Sequence, residues 1–299
     1  MNIKSWVLAF RPRTLPLALS CTVAGSCLAA ADNKFRWPVL ALAALTTLLL
    51  QVLANLANDY GDFVNGKDTA GRIGPRRMVQ SGEISPRAML AGVSAAAVLC
   101  GASGAALIYT SVKGAGAAPL LVFGLLGLAA IAAAVKYTVG KNPYGYSGWG
   151  DVFVFVFFGL VGVLGTYYLH ALALRWNLLL PAAAIGFLSA GVLNINNMRD
   201  LEADRKAGKR TLAVKLGPRR AAYYHLALLA GAAAAALAYT SLTPGSAWRW
   251  LFLLAFPPLL LNGKIVLTYS EPPALAPELQ RLSLSTLLFA LTFGFGLLL

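Results

Sequence analysis

Two short acidic runs lie at the ends of hydrophobic segments. The first is Asn55-Leu56-Ala57-Asn58-Asp59-Tyr60-Gly61-Asp62, with Asp68 just beyond it; the second is Asn196-Asn197-Met198-Arg199-Asp200-Leu201-Glu202-Ala203-Asp204. Carboxylates this close to lipid are rare and usually functional. Mg²⁺ binds hard oxygen ligands, commonly one or two carboxylates completed by substrate phosphate and water. The chemistry these residues suggest is therefore a divalent-metal site that holds a diphosphate. Asn58, Asp59, Asp62, Asp68, Asp200 and Asp204 are the candidate ligands. Asn55, Asp59 and Asp62 stand at i, i+4, i+7, and Asn196, Asp200 and Asp204 at i, i+4, i+8. Each set shares one face if its helix persists to the end.

Basic residues follow both runs. Lys67, Arg72, Arg76 and Arg77 come after the first; Arg205, Lys206, Lys209 and Arg210 come after the second. Arginine grips phosphate oxygens in a bidentate fork, and lysine acts as a point charge. Lys67, Arg72, Arg77, Lys209 and Arg210 are the expected diphosphate contacts. A third polar loop, Lys136 to Asp151, contains Tyr137, Lys141, Tyr144, Tyr146 and Trp149, and the aromatic run Phe153 to Phe158 follows. It reads either as an interfacial aromatic belt or as a pocket whose ring faces steady a cation. On the second reading Lys141 or Asp151 serves in proton transfer or acceptor binding. Asn55, Asn197, Tyr144 and Asp151 are the candidate contacts for an aromatic acceptor.

The elements that must position these groups are membrane helices. The chain has 299 residues, 58% hydrophobic and 12% charged, with mean hydropathy +0.68. Soluble proteins carry about 25% charged residues. Nine segments are apolar and long enough to span a bilayer: 14–32, 37–57, 88–110, 114–137, 150–170, 178–197, 221–241, 248–270 and 282–299. Many are rich in Ala and Gly, which lets helices approach closely in lipid. The expected architecture is an all-α integral membrane protein, one domain over 1–299, with acidic-motif loops at 55–87 and 194–220. Spans 2 and 6 run in the same direction, so both acidic runs emerge on one face.

That face also collects charge. Lys34, Arg36, Lys113, Arg175 and Arg249 lie on the opposite face and Lys264 inside a span, which leaves 19 of the 25 Lys and Arg beside the acidic runs. The positive-inside rule makes this face cytoplasmic, with the N-terminus inside and the C-terminus outside. Ten of the 11 Asp and Glu are there too. The rule makes no demand on acids, so a metal and phosphate site explains their presence better. The net charge of +14 belongs to residues that flank spans and meet anionic headgroups; no nucleic-acid motif is present. Met1 to Phe10 lacks the features of a cleavable signal. Cys21, Cys27 and Cys100 fall inside spans with no ligand spacing, and His170 and His225 are isolated; all five read as packing residues.

Four stretches together carry a resemblance: Arg11 to Pro16; Asn55 to Asp62 with Arg72 to Pro75; Tyr137 to Asp151 with Phe157-Phe158-Gly159; and Leu193 through Asp200 and Asp204 to Thr211. They resemble the UbiA-type intramembrane aromatic prenyltransferases, most closely the branch that prenylates 1,4-dihydroxy-2-naphthoate in menaquinone biosynthesis. The resemblance implies a nine-helix bundle around a central cavity open to lipid, Mg²⁺ as cofactor and a long allylic polyprenyl diphosphate as donor. It implies that Asn58, Asp62, Asp200 and Asp204 anchor metal and diphosphate. Asp59 adjoins them, and Tyr137 and Lys141 fall where the family places ring and diphosphate contacts. The superfamily often has a further Asp at the place of Gly66, whereas here Asp68 comes two residues later. The implied location is the bacterial inner membrane, with the site on the cytoplasmic side. Residue types alone also fit 4-hydroxybenzoate, homogentisate or haem as acceptor, or a cation-coupled transporter.

Overall fold

The structure is a computed structural model that describes residues 3–68 and 73–299. The described residues form helices and no strand. Among the described residues, nine helical segments are long and apolar enough to cross a membrane: α1 (Ile3–Ala31), α2 (Trp37–Val64), α3 (Pro86–Val112), α4 (Ala117–Lys136), α5 (Gly150–Ala171), α6 (Trp176–Arg199), α7 (Pro218–Leu242), α8 (Ala247–Thr268) and α9 (Pro272–Leu298). The chain is an integral membrane protein.

Three boundaries differ from the hydropathy reading, and each matters. α2 continues to Val64, so Asn58, Asp59 and Asp62 are helical rather than in a loop. Nothing in Asn55 to Val64 breaks a helix; the stop comes at Asn65 and at Gly66, whose φ of 63° is the left-handed cap conformation glycine favours. α1 starts at Ile3 and is interrupted at Arg11 (φ 51°) before Pro12. α9 starts near Pro272 and carries Glu278 and Arg281 within it. Their charges lower the hydropathy of its first turns but pair with each other.

Two packed halves enclose the site. One core joins α1 and α5 to α9, around Leu17, Ile185, Leu188, Phe252 and Phe289. The other joins α2 and α3 around Leu53, Leu56 and Met89, and it includes Met78, Val79 and Ile84 of the connecting loop. A third cluster of Val39, Ala43, Leu107, Val112 and Leu169 packs the end away from the acidic residues. α6 is the central post: 72% of its apolar window is buried, against 6% for α4, which therefore lies on the outside of the bundle.

α5 lies against α6 through glycine. A Cβ added to Gly159 would sit 2.7 Å from the Ala182 oxygen and from the Gly186 Cα. Small residues permit such approach in membranes. Between α-helical ends, Phe155–Leu164 is wound as a π-helix, a rare form that tends to occur at functional sites.

Candidate active site

A cavity of ≈ 380 Å³ runs between the two halves. Its polar end is built by α2, α6 and three connecting loops. On α2, Gln51, Asn55, Asn58 and Asp62 face it as one stripe. On the α6 side Asn196, Asn197, Asp200 and Asp204 face it. α6 ends at Arg199, and Leu201–Lys206 forms a short helix that carries Asp204 onward. The two acidic runs do converge: Lys209 Nζ lies 3.1 Å from Asp62 Oδ1 and 3.4 Å from Asp204 Oδ1.

Asp59 departs from expectation. It is 2% exposed but does not line the cavity. Its Oδ2 accepts from Met78 N at 2.9 Å and its Oδ1 from Val79 N at 3.1 Å. Both oxygens are thus committed to holding the loop after α2. The i, i+4, i+7 reading grouped Asp59 with Asn55 and Asp62; the cavity stripe runs through Asn58 instead. Asp68 also stands back from the cavity, paired with Arg77 Nε at 2.8 Å.

The docked loop places Arg77. Met78, Val79 and Ile84 are buried in the α2–α3 core, and the Ser85 hydroxyl caps α3 by accepting from Ala88 N at 3.3 Å. Arg77 then donates to the Asn58 carbonyl at 2.5 Å and pairs with Asp62 Oδ2. Burial opposes the Arg77 charge, but Asp62, Asp68 and Asp59 outweigh it and hold its pKa above the usual arginine value. The Tyr146 hydroxyl donates to Asp62 Oδ1 at 2.6 Å. Burial, and then the Asp62 charge, push that phenol up, so it stays protonated. Asp200 receives Arg199 Nη2 at 2.7 Å and Gly74 N at 3.1 Å.

The loops are tied to one another. Lys67 Nζ donates to Ala207 O at 2.6 Å, Arg210 N to Tyr146 O at 2.7 Å, and Lys215 Nζ to Ser147 O at 2.7 Å. Thr211 caps the helix that follows by accepting from Val214 N. Lys67 therefore braces loops instead of lining the cavity. The Arg210 and Lys141 side chains are exposed and outside the cavity wall. Arg72 lies outside the described residues. Of the five expected diphosphate cations, Arg77 and Lys209 line the cavity.

The third loop supplies rings. Tyr137 meets Tyr144 edge-on at 5.4 Å, Tyr144 stacks on Phe153 at 4.0 Å, and Phe153 lies 6.2 Å from Phe157. All four line the cavity. Burial, reinforced by Asp151, pushes the Tyr137 phenol well up. Asp151 is 4% exposed and lies behind the wall. Asn197 and Tyr144, two of the candidate acceptor contacts, line the cavity. Asn55 does too, but its amide donates to Phe10 O at 2.8 Å and Thr14 Oγ1 at 3.1 Å, which fixes the break in α1. The two histidines pack as expected: His170 meets Ser26 and His225 meets Asn262.

Residue type and spacing gave no role to Gln51, Thr138, Tyr146 and Arg199. The role of Gln51 was legible from its place as the i−4 partner of Asn55. The roles of Tyr146 and Thr138 were not, because they come from a loop folding back onto α2.

The donor set fits a divalent metal. Asp62, Asp200, Asp204, Asn58 and Asn196 offer hard oxygens at one end of the cavity. Burial raises the Asp204 pKa; Lys209 partly offsets this, while Asp200 adds to it. A cation would relieve that crowding. No three His, Cys, Asp or Glu among the described residues form a ready-made metal group. Such a set suits a metal whose shell is completed by phosphate.

Residues 18–297 match the model of the UbiA prenyltransferase family. The chain is 45% identical over 299 residues to the 1,4-dihydroxy-2-naphthoate octaprenyltransferase of Haemophilus influenzae, covering 99% of this chain and 96% of the relative. It is 43% identical over 296 residues to the enzyme of that name from Escherichia coli K12, with the same coverage. Its fold is similar to that of a UbiA homologue from Archaeoglobus fulgidus bound to GPP and Mg²⁺: TM-score 0.69, 18% identity, covering 98% of this chain and 99% of the other.

Proposed function

The chain belongs to the UbiA prenyltransferase family, and we propose that it transfers a polyprenyl group from an allylic polyprenyl diphosphate to 1,4-dihydroxy-2-naphthoate. Diphosphate and CO₂ leave, and demethylmenaquinol of menaquinone biosynthesis is formed. The observation that carries this reading is the meeting of two acidic runs with Arg77 and Lys209 at the polar end of an otherwise apolar, ring-lined cavity. The names of relatives at 45% and 43% identity support the naphthoate acceptor.

In this reading Asn58, Asp62, Asp200 and Asp204 hold Mg²⁺ against the diphosphate. When bound, Mg²⁺ supplies positive charge that favours departure of the diphosphate. Arg77 and Lys209 take up the remaining phosphate charge. The allylic C–O bond breaks, and its electron pair leaves with the diphosphate. Tyr137, Phe153 and Phe157 shield the allylic cation from water and offer it their ring faces. The electron-rich acceptor ring forms the new C–C bond, and its carboxylate leaves as CO₂. We place this site, with the N-terminus, on the cytoplasmic side of the bacterial inner membrane and the C-terminus outside, from the charge asymmetry.

The test is a product assay on purified protein with 1,4-dihydroxy-2-naphthoate, a long allylic diphosphate and Mg²⁺, with and without chelator. A Mg²⁺-dependent prenylated naphthoquinol with CO₂ is the expected result. Product from 4-hydroxybenzoate but none from the naphthoate would discard the acceptor.

A further inference from the structure

We infer that this site loads its divalent metal and its diphosphate together, as one chelate, and that Lys209 is the residue that enforces it. The inference rests on the prenyl-transfer reading above and goes on to the form in which the donor binds.

Lys209 occupies the position where the two acidic runs meet. Its ammonium is 3.1 Å from Asp62 Oδ1 and 3.4 Å from Asp204 Oδ1, and it sits 5.0 Å from the centre of the Tyr146 ring. The residue is only 8% exposed. The other Asp62 oxygen is held by Arg77, and Arg199 pairs with Asp200. Each carboxylate expected to bind metal therefore already faces a cation.

The lining is also balanced. Among the described residues, its charged groups are Asp62, Asp200 and Asp204 against Arg11, Arg77 and Lys209. Among these described groups, three negative charges meet three positive ones. Among the described residues no three carboxylates converge on a ready-made site, and residues 1–2 and 69–72 include no acid, His or Cys. A bare metal would meet an incomplete shell and a repelling ammonium. A metal–diphosphate chelate is closer to neutral and brings the missing oxygens with it.

Lys209 is also the cation best built to move. Arg77 is locked by Asn58 O, Asp62 and Asp68. Lys209 holds its place through one ammonium on a flexible stem. When that ammonium turns to a phosphate oxygen, Asp204 Oδ1 is released and Asp62 Oδ1 keeps only the Tyr146 hydroxyl as partner. Metal and diphosphate affinities are then linked, and linkage is reciprocal.

The test uses the full-length protein in detergent, Mn²⁺ in place of Mg²⁺, and inorganic diphosphate. Protein-bound Mn²⁺ is read by electron paramagnetic resonance at matched free Mn²⁺. Wild type is expected to bind Mn²⁺ roughly tenfold tighter or more with diphosphate present, within the roughly 5–150-fold span of site-to-site coupling. Lys209→Met is expected to bind Mn²⁺ alone tighter than wild type and to lose most of that enhancement. Lys209→Arg keeps the charge and should bind Mn²⁺ alone as weakly as wild type. Equal Mn²⁺ affinity of wild type with and without diphosphate overturns chelate loading. Lys209→Met binding Mn²⁺ alone no tighter than wild type overturns the role of Lys209. Should Lys209→Met not fold, Lys209→Gln takes its place in the same Mn²⁺ comparison, and the wild-type comparison decides chelate loading in either case. Strong coupling in a protein that forms no prenylated product would support chelate loading and discard the reaction.

Discussion

Replacing Asp59 with alanine separates a metal ligand from a loop anchor. In the structure Asp59 accepts two backbone bonds, from Met78 N at 2.9 Å and Val79 N at 3.1 Å. Hydrogen bonds to a charged group contribute about 1.5–3 kcal/mol each. Losing both removes about 3 kcal/mol at the lower end, roughly a hundredfold in the docking equilibrium of the loop. Met78 and Val79 stay buried against α2 and α3, each contributing about 1.5–3 kcal/mol, so the loop loosens without detaching. Arg77, one residue before Met78, then samples positions away from Asp62. The expected outcome is faster amide exchange at Met78 and Val79, a lower kcat, and a Mg²⁺ half-saturation close to wild type. Hydrogen–deuterium exchange and a Mg²⁺ titration of the product assay read these directly. Unchanged exchange at both amides with a tenfold rise in Mg²⁺ half-saturation would show Asp59 to be a ligand and refute the reasoning.

Asp62→Ala or Asp200→Ala should abolish turnover while leaving folded protein, because each removes a cavity carboxylate at the acidic end; full activity of both variants would sink the site. Gly61→Ala should lower activity severely, since the new Cβ would lie 2.6 Å from Thr138 Oγ1 and 2.7 Å from its carbonyl, displacing the loop that carries Tyr146. A monodisperse variant with wild-type kcat would contradict that packing. Acidity should also matter. The Asp204 pKa is raised by burial, with Asp200 adding to it against Lys209, so the folded protein binds this proton more tightly than the unfolded chain does. The stability from that proton is complete below the ordinary carboxylate pKa and is lost as pH rises through the raised folded value. Metal competes for the same oxygen, so Mn²⁺ affinity with diphosphate present should weaken as pH falls through that range. A flat profile there would count against Asp204 as a ligand.

Residue order alone carried the bundle and the acidic runs. Nine apolar stretches must bury their backbone polar groups as helices in lipid, and their parity sends the ends of α2 and α6 to one face. Residue type then flagged Asp62, Asp200, Asp204, Arg77, Lys209 and Tyr137, all of which line the cavity. What it did not carry is which way each group turns. Asp59 and Asp62 are three residues apart on one helix, yet one holds a loop and the other faces the cavity. That division depends on where Met78 and Val79 dock, a contact between distant parts of the chain. The same holds for Lys67 and Lys209: both are lysines just after an acidic run, but one braces a carbonyl and the other bridges two carboxylates. Helical periodicity fixes the angle of a side chain about its own axis, and only the packing of neighbouring elements determines what stands there to meet it.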